Sequence, residues 1–195
     1  MTIETDIRSY LDRLLKTLDG MPVDDIARLS EMLYRAYGDG KQVFILGNGG
    51  SASTASHMAA DLGKNTIGPN MRRFRIMSLN DNIPLLTALA NDVGYENVFA
   101  EQLQNLIQPG DVLIAISGSG NSPNVLRAME YAQSRSAETV GMLGFGGGKA
   151  AEFADLVLLV DSSDYGVVED SHLIVNHILV EHFRQRLAEE QPWSV

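Results

Sequence analysis

The stretch Val43-Phe-Ile-Leu-Gly-Asn-Gly-Gly-Ser-Ala-Ser53 decides the fold. Val43 to Leu46 form an apolar run of strand length, and the glycines after it lead straight into a helical pattern at roughly 51–64. The same order recurs. Phe74–Leu79, Val112–Ser117, Thr139–Leu143 and Leu156–Val160 read as strands, with helical stretches at roughly 83–107, 122–135 and 148–154 between them. A repeated strand-then-helix order predicts an α/β protein in which a five-stranded parallel sheet is flanked by helices in a Rossmann-like, three-layer arrangement.

Two helical segments precede this alternation. Their apolar positions fall at helical spacing, Ile7, Tyr10, Leu11, Leu14, Leu15 and Leu18 in one and Ile26, Leu29, Leu33, Ala36 and Tyr37 in the other, with Gly20-Met21-Pro22 between them. A last long helix is expected from Val167 to Ala188, with Val168, Leu173, Ile174, Ile178, Leu179 and Phe183 on its apolar side and a polar tail containing Pro192 after it. The expected organisation is a single domain over 1–195, with helices over 1–38 and an α/β core over 41–190. A leucine stripe outside a sheet suits burial by a sister subunit, so an oligomer is expected.

Composition narrows the function classes. The 195 residues are 45% hydrophobic and 21% charged, enough apolar material for a core. The formal net charge of −10 argues against a nucleic-acid footprint, which needs clustered Lys and Arg. Zero cysteines exclude disulfides, thiolate metal sites and Cys nucleophiles. No apolar run approaches about 18 residues, and the opening Met1-Thr-Ile-Glu-Thr-Asp6 lacks a leader's apolar core, so a cytoplasmic protein without a membrane segment is expected.

Chemistry could sit in three places. Gly47-Asn-Gly-Gly-Ser51 follows the first strand and opens a helix, where glycines permit close approach and free N–H groups suit a phosphate; the same loop also reads as a plain turn capped by serine. A dinucleotide fingerprint fits poorly, since the acidic residue it needs comes late, at Asn80-Asp81. Ser117-Gly-Ser-Gly-Asn-Ser122, again between strand and helix, offers the hydroxyls of Ser117, Ser119 and Ser122 as a second, uncharged phosphate cup, with Pro123 suited to the first helical turn. The Gly144–Gly148 run with Lys149 lacks the length and the Ser or Thr of a Walker A loop. Third, His57 and Asp61 stand four apart on one helix face, and Glu169 and His177 eight apart on the last helix. Two imidazoles and two carboxylates could hold a divalent ion such as zinc or act as general acid and base, although each pair alone also reads as a helix-supporting contact. His172 and His182 read as packing or solvent histidines.

Taken together, these segments resemble the sugar isomerase (SIS) domain family, and most closely its sedoheptulose-7-phosphate (phosphoheptose) isomerase branch, over about residues 1 to 188. The likeness extends to the His57-Met-Ala-Ala-Asp61 step, the Asn91-Asp92 pair and Gly147-Gly148-Lys149. The resemblance implies a homotetramer with active sites at subunit junctions, zinc in many members, and an open-chain ketose phosphate as substrate. It places the sugar phosphate on Ser51, Ser117, Ser119 and Ser122, with Asn48, Gly49, Asp92 and Glu169 also at the substrate. It gives the metal to His57, Asp61, Glu169 and His177. The implied activity is an aldose–ketose isomerisation through an enediol, an intramolecular oxidoreduction with Asp61 as base and His177 as acid, serving lipopolysaccharide or capsule precursors. The chain departs from the branch at Asp61 (commonly Glu), Glu169 (commonly Gln), Gly118 (commonly Thr), Asn65 (commonly Arg, with Lys64 beside it) and Gly166 (often an acid). Two non-catalytic readings stay open: a SIS adaptor that binds the replication initiator, as some close relatives do, and a sugar-phosphate sensor.

Overall fold

The computed structural model describes residues 2–67 and 72–190. Two helices, α1 (Ile3–Asp19) and α2 (Val23–Asp39), lead into β1 (Gln42–Gly47) and α3 (Gly50–Lys64). The chain continues through β2 (Arg75–Ser78), α4 (Ile83–Asp92), α5 (Val98–Leu106), β3 (Val112–Ser117) and α6 (Pro123–Ser134). It ends with β4 (Glu138–Leu143), β5 (Leu156–Leu159) and α7 (Tyr165–Glu190). All five strands are parallel, in the order β2-β1-β3-β4-β5, as the alternation predicts. The polar tail with Pro192 lies outside the described residues.

Successive strand residues point to opposite faces, and both faces are buried. Val43, Ile45, Val112, Ile114 and Val140 pack with Leu29 and Leu33 of α2, Met58 and Leu62 of α3, and Val175, Leu179 and Phe183 of α7. Phe44, Leu46, Leu113 and Ala115 pack on the other face with Phe99 and Leu103 of α5 and Val125, Ala128 and Met129 of α6. The central strand β3 is buried at every residue, as a strand covered on both sides must be. Because β1 sits between β2 and β3, chain direction across the sheet reverses at β1. Gly47 pairs with Ile116, so the loops after β1 and β3 start side by side at this switch point, where open α/β sheets bind ligands.

Three helix expectations change. The stretch 83–107 is not one helix: Gly94 has φ +91°, and a 3-10 turn over Tyr95–Asn97 separates α4 from α5. The segment near 148–154 is a 3-10 turn, Gly148–Phe153. The last helix starts two residues earlier than expected, at Tyr165. No residue of α1 is buried, and Ile3, Ile7, Leu11 and Leu15 stand exposed along it. No helix among the described residues is long and apolar enough to cross a membrane.

His172 of α7 is fully buried, and neither ring nitrogen has a hydrogen-bond partner among the described residues. Burial pushes its pKa down from 6.5 to about 4, while the nearby Leu143 carbonyl opposes this in part. The unfolded chain therefore binds a proton that the folded chain refuses, and stability falls as pH drops from 6.5 towards 4. His172→Leu is expected to flatten this acid limb, removing on the order of 3 kcal/mol of pH dependence, as read by urea unfolding at several pH values.

Candidate active site

The first loop is shaped by backbone contacts. At the end of β1 the Asn80 side chain brackets Gly47, accepting from its N–H at 3.2 Å and donating to its carbonyl at 2.9 Å. A Cβ on Gly47 would lie 2.7 Å from the Ser51 backbone. Gly49, at φ +57°, then turns the chain into α3, where the Ala52 and Ser53 N–H groups donate to its carbonyl. Ser51 is buried at the helix start.

The second loop is held from beside it. Ser117 Oγ accepts from the Gly120 N–H at 3.1 Å, and Ser119 Oγ accepts from the Asn121 N–H at 3.3 Å. Ser122 precedes Pro123 at the start of α6 and makes no capping bond through its hydroxyl. The glycine run after β4 is the loop's support: Gly144 N–H donates to Gly118 O, Ala150 N–H to Gly120 O, and Lys149 N–H to Asn121 Oδ1. Gly120 has φ +63°, and a Cβ there would collide with the Gly147 carbonyl. Gly118 admits the Tyr165 ring, which stacks on Phe145 with centroids 4.4 Å apart.

Below the loops, α3 and α7 bring three donors to one point. His57 Nε2 lies 3.1 Å and His177 Nε2 3.9 Å from Asp61 Oδ2, with the imidazole rings 5.3 Å apart at 73°. One ligand atom from each of the three lies within 4.8 Å of the others, so the set fits a divalent ion that takes nitrogen and oxygen ligands. The Asp61 carboxylate, 18% exposed, also accepts from Asn65 Nδ2 at Oδ1 and from Asn176 Nδ2 at Oδ2, both at 3.1 Å.

The expected four-ligand set is thus brought together as three. Glu169 is absent from the group; its carboxylate lies against Gly50, where a Cβ would run into it. The physical reason is helical rise: eight residues separate Glu169 from His177 on α7, about 12 Å along the axis. Glu169 therefore faces the first loop.

Asn48 forms a reciprocal amide pair with buried Asn124, at 2.9 and 3.0 Å, and its Oδ1 also accepts from Tyr95 O–H at 2.8 Å. That bond ties the segment after α4 to the first loop. Asp92, in the last turn of α4, is exposed and accepts from Asn91 Nδ2. Asn124, Tyr95, Tyr165 and Asn176 were not among the site residues expected from sequence. The available signal was polarity at apolar positions: Asn176 interrupts the stripe Val168, Val175, Leu179, Phe183, and Asn124 opens the buried face of α6.

Residues 6–144 match the family model for the SIS domain. A protein of Geotalea daltonii named phosphoheptose isomerase is 35% identical over 189 residues, covering 97% of this chain and 97% of its own. One of Mycobacterium tuberculosis with the same name is 39% identical over 186 residues, 95% of this chain and 91% of its own. Among solved structures, the phosphoheptose isomerase of Neisseria gonorrhoeae superposes with a TM-score of 0.87 at 26% identity, over 94% of this chain and 100% of that one. The phosphoheptose isomerase of Francisella tularensis gives a TM-score of 0.88 at 26% identity, over 95% and 100%.

The glycines separate by role. Gly38, in the last turn of α2, has nothing among the described residues within 4 Å of an added Cβ, so Gly38→Ala should stabilise the protein by up to about 1 kcal/mol. Gly120→Ala meets both a positive φ and the Gly147 carbonyl and should destabilise it by about 2 kcal/mol or more, as read by thermal unfolding of the two variants.

Proposed function

The chain belongs to the SIS domain family and groups there with the phosphoheptose isomerases, and from that premise we propose that it is an isomerase interconverting a ketose phosphate and an aldose phosphate, with sedoheptulose 7-phosphate as the preferred substrate. The observation that carries this reading is the meeting of His57, Asp61 and His177, drawn from two distant helices to one point below two adjacent loops. A binding-only adaptor would have no use for that convergence.

In this reading the phosphate rests on Ser51, Ser117, Ser119 and Ser122. Neutral hydroxyls and helix N-termini suffice for it, which suits a chain of net charge −10. Asn48, Gly49, Asp92 and Glu169 address the sugar hydroxyls. Asp61 takes the proton from the carbon beside the carbonyl while His177 gives one to the carbonyl oxygen, producing the enediol. Return of a proton from Asp61 to the neighbouring carbon, with His177 recovering one from the other hydroxyl, completes the isomerisation. A positioned acid and base of this kind contribute about 10²–10⁴-fold.

We assign zinc to His57, Asp61 and His177, where it would stabilise negative charge developing on the sugar oxygens. Each of these side chains has a second heteroatom, so holding a metal through one leaves the other for a proton. The exposed Ile3, Ile7, Leu11 and Leu15 on α1 support a homotetramer with sites at subunit junctions. A cytoplasmic enzyme supplying surface-polysaccharide precursors fits this substrate class.

Incubation of the purified protein with sedoheptulose 7-phosphate should yield the aldoheptose 7-phosphate. His177→Ala and Asp61→Asn should each lower kcat by about 10²-fold or more with the oligomer intact. In D₂O, the wild-type protein should exchange the carbon-bound proton beside the carbonyl, as followed by NMR; binding without exchange would make the protein a sensor instead. Replacing Leu11 and Leu15 together by Glu should lower the mass measured by sedimentation, and an unchanged mass would remove the case for α1 as an interface.

A further inference from the structure

We propose that Asn176, acting with Asn65, is a positioning residue that fixes the Asp61 carboxylate for proton transfer; this rests on the catalytic reading of the site given above. Asn176 is fully buried on the core side of α7, among Val175, Leu179 and Val180. An apolar side chain would suit that environment. The amide instead donates Nδ2 to Asp61 Oδ2 at 3.1 Å, across the contact between α7 and α3.

Its other end shows what the arrangement gives up. Asn176 Oδ1 is buried with no hydrogen-bond partner among the described residues, and the same holds for both nitrogens of His172 one turn earlier on α7. A buried, unpaired carbonyl is unfavourable, and native proteins rarely keep one without a use. Turning the amide over would only set Oδ1 against a carboxylate oxygen, acceptor to acceptor. The observed orientation is the one that gives the Asp61 carboxylate a donor.

The need for such a group follows from the side chain it holds. The α3 backbone places the Asp61 Cβ, but the last torsion of an aspartate is broad and nearly two-fold, so the carboxylate plane is not set by rotamer preference. One amide on each oxygen removes that freedom: Asn65 Nδ2 holds Oδ1 from one turn along α3, and Asn176 Nδ2 holds Oδ2 from α7. Both donors are neutral, so they orient the carboxylate while adding no cation beside it. A base must approach the C–H bond within a narrow range of distance and angle, and small displacements lower kcat more than they lower substrate affinity.

The test is a double-mutant cycle of Asn176→Leu and Asp61→Asn, with Asn176→Asp as a second variant of the same shape that replaces the donor by a carboxylate. Asn176→Leu should lower kcat by about tenfold to hundredfold and leave KM within about threefold, without lowering the thermal unfolding midpoint. In the Asp61→Asn background the same change should cost no further activity. Asn176→Asp should lose at least as much kcat as Asn176→Leu. A kcat for Asn176→Leu within about twofold of the wild type, or an equal fold-loss in both backgrounds, overturns the proposal. Zinc affinity, measured by competition with a chromogenic chelator and the metal alone, gives a readout that needs no turnover. Asn176→Leu should weaken it by about tenfold when Asp61 is present and leave it unchanged in Asp61→Asn. If the wild-type protein turns over no sugar phosphate, the isomerase reading falls and this zinc cycle alone decides; equal zinc behaviour of wild type and Asn176→Leu, including no binding by either, then overturns the positioning role.

Discussion

A single carboxylate organises the polar contact between α3 and α7. Asp61 sits mostly buried between α3 and α7, with two imidazoles and two amides around it. A partly desolvated charge is tolerated only where donors surround it. Those donors come from both helices, so the packing of α7 on α3 and the geometry of the cluster are one constraint. The apolar contacts of Met58 and Leu62 with Val175 and Leu179 hold the helices together, and the polar ring sits at the edge of that interface.

The loops above the cluster obey a different constraint, which is backbone crowding. The order of strands sets the turns after β1 and β3 next to each other, and β4 sends its glycine-rich turn underneath the second. Side chains at Gly120 or Gly148 would strike carbonyl groups of the facing loop, so the turns close on one another only because those positions are bare. The reciprocal amide pair of Asn48 and Asn124 then bridges the two turns. The shape of these turns is a consequence of how three strand ends share one space.

Much of this was legible in the sequence because it depends on local rules. Apolar runs alternating with helical stretches indicate five strands in a parallel sheet, and His57 with Asp61 could be placed on one helix face from spacing alone. Long-range contacts were harder. His177 reaches Asp61 across 116 residues; donor chemistry and the family resemblance grouped them, but no local pattern shows that they meet. Glu169 was grouped with His177 by side of the helix, yet rise along α7 carries it to the first loop. The break at Gly94 was hidden because apolar residues on both sides keep helical spacing. Asn124 and Asn176 show in the sequence only as polar residues at apolar positions; what each amide pairs with is known only once two elements are packed.

The same helix also joins the site to α1. Tyr10 O–H donates to Asp170 at 2.7 Å, and Arg13 lies 3.2 Å from Asp164, so α1 is pinned to the start of α7. The hydrogen bond to Asp170 pushes the Tyr10 pKa up to about 12, which keeps the phenol a donor throughout the neutral range. Gly166 allows the contact, since a Cβ there would approach the Tyr10 hydroxyl to 2.9 Å. Asp170 is the immediate neighbour of Glu169, which faces the first loop, and α7 carries Asn176 and His177 two turns further on. α1 is therefore tied to the element that carries both the loop-facing carboxylate and two of the groups around Asp61, Asn176 and His177. Residues 160–164 link β5 to α7 in a short connection, so the N-terminal end of α7, which carries Glu169, is held close to the sheet. The N-terminal helix and the polar cluster are thus joined through a single helix.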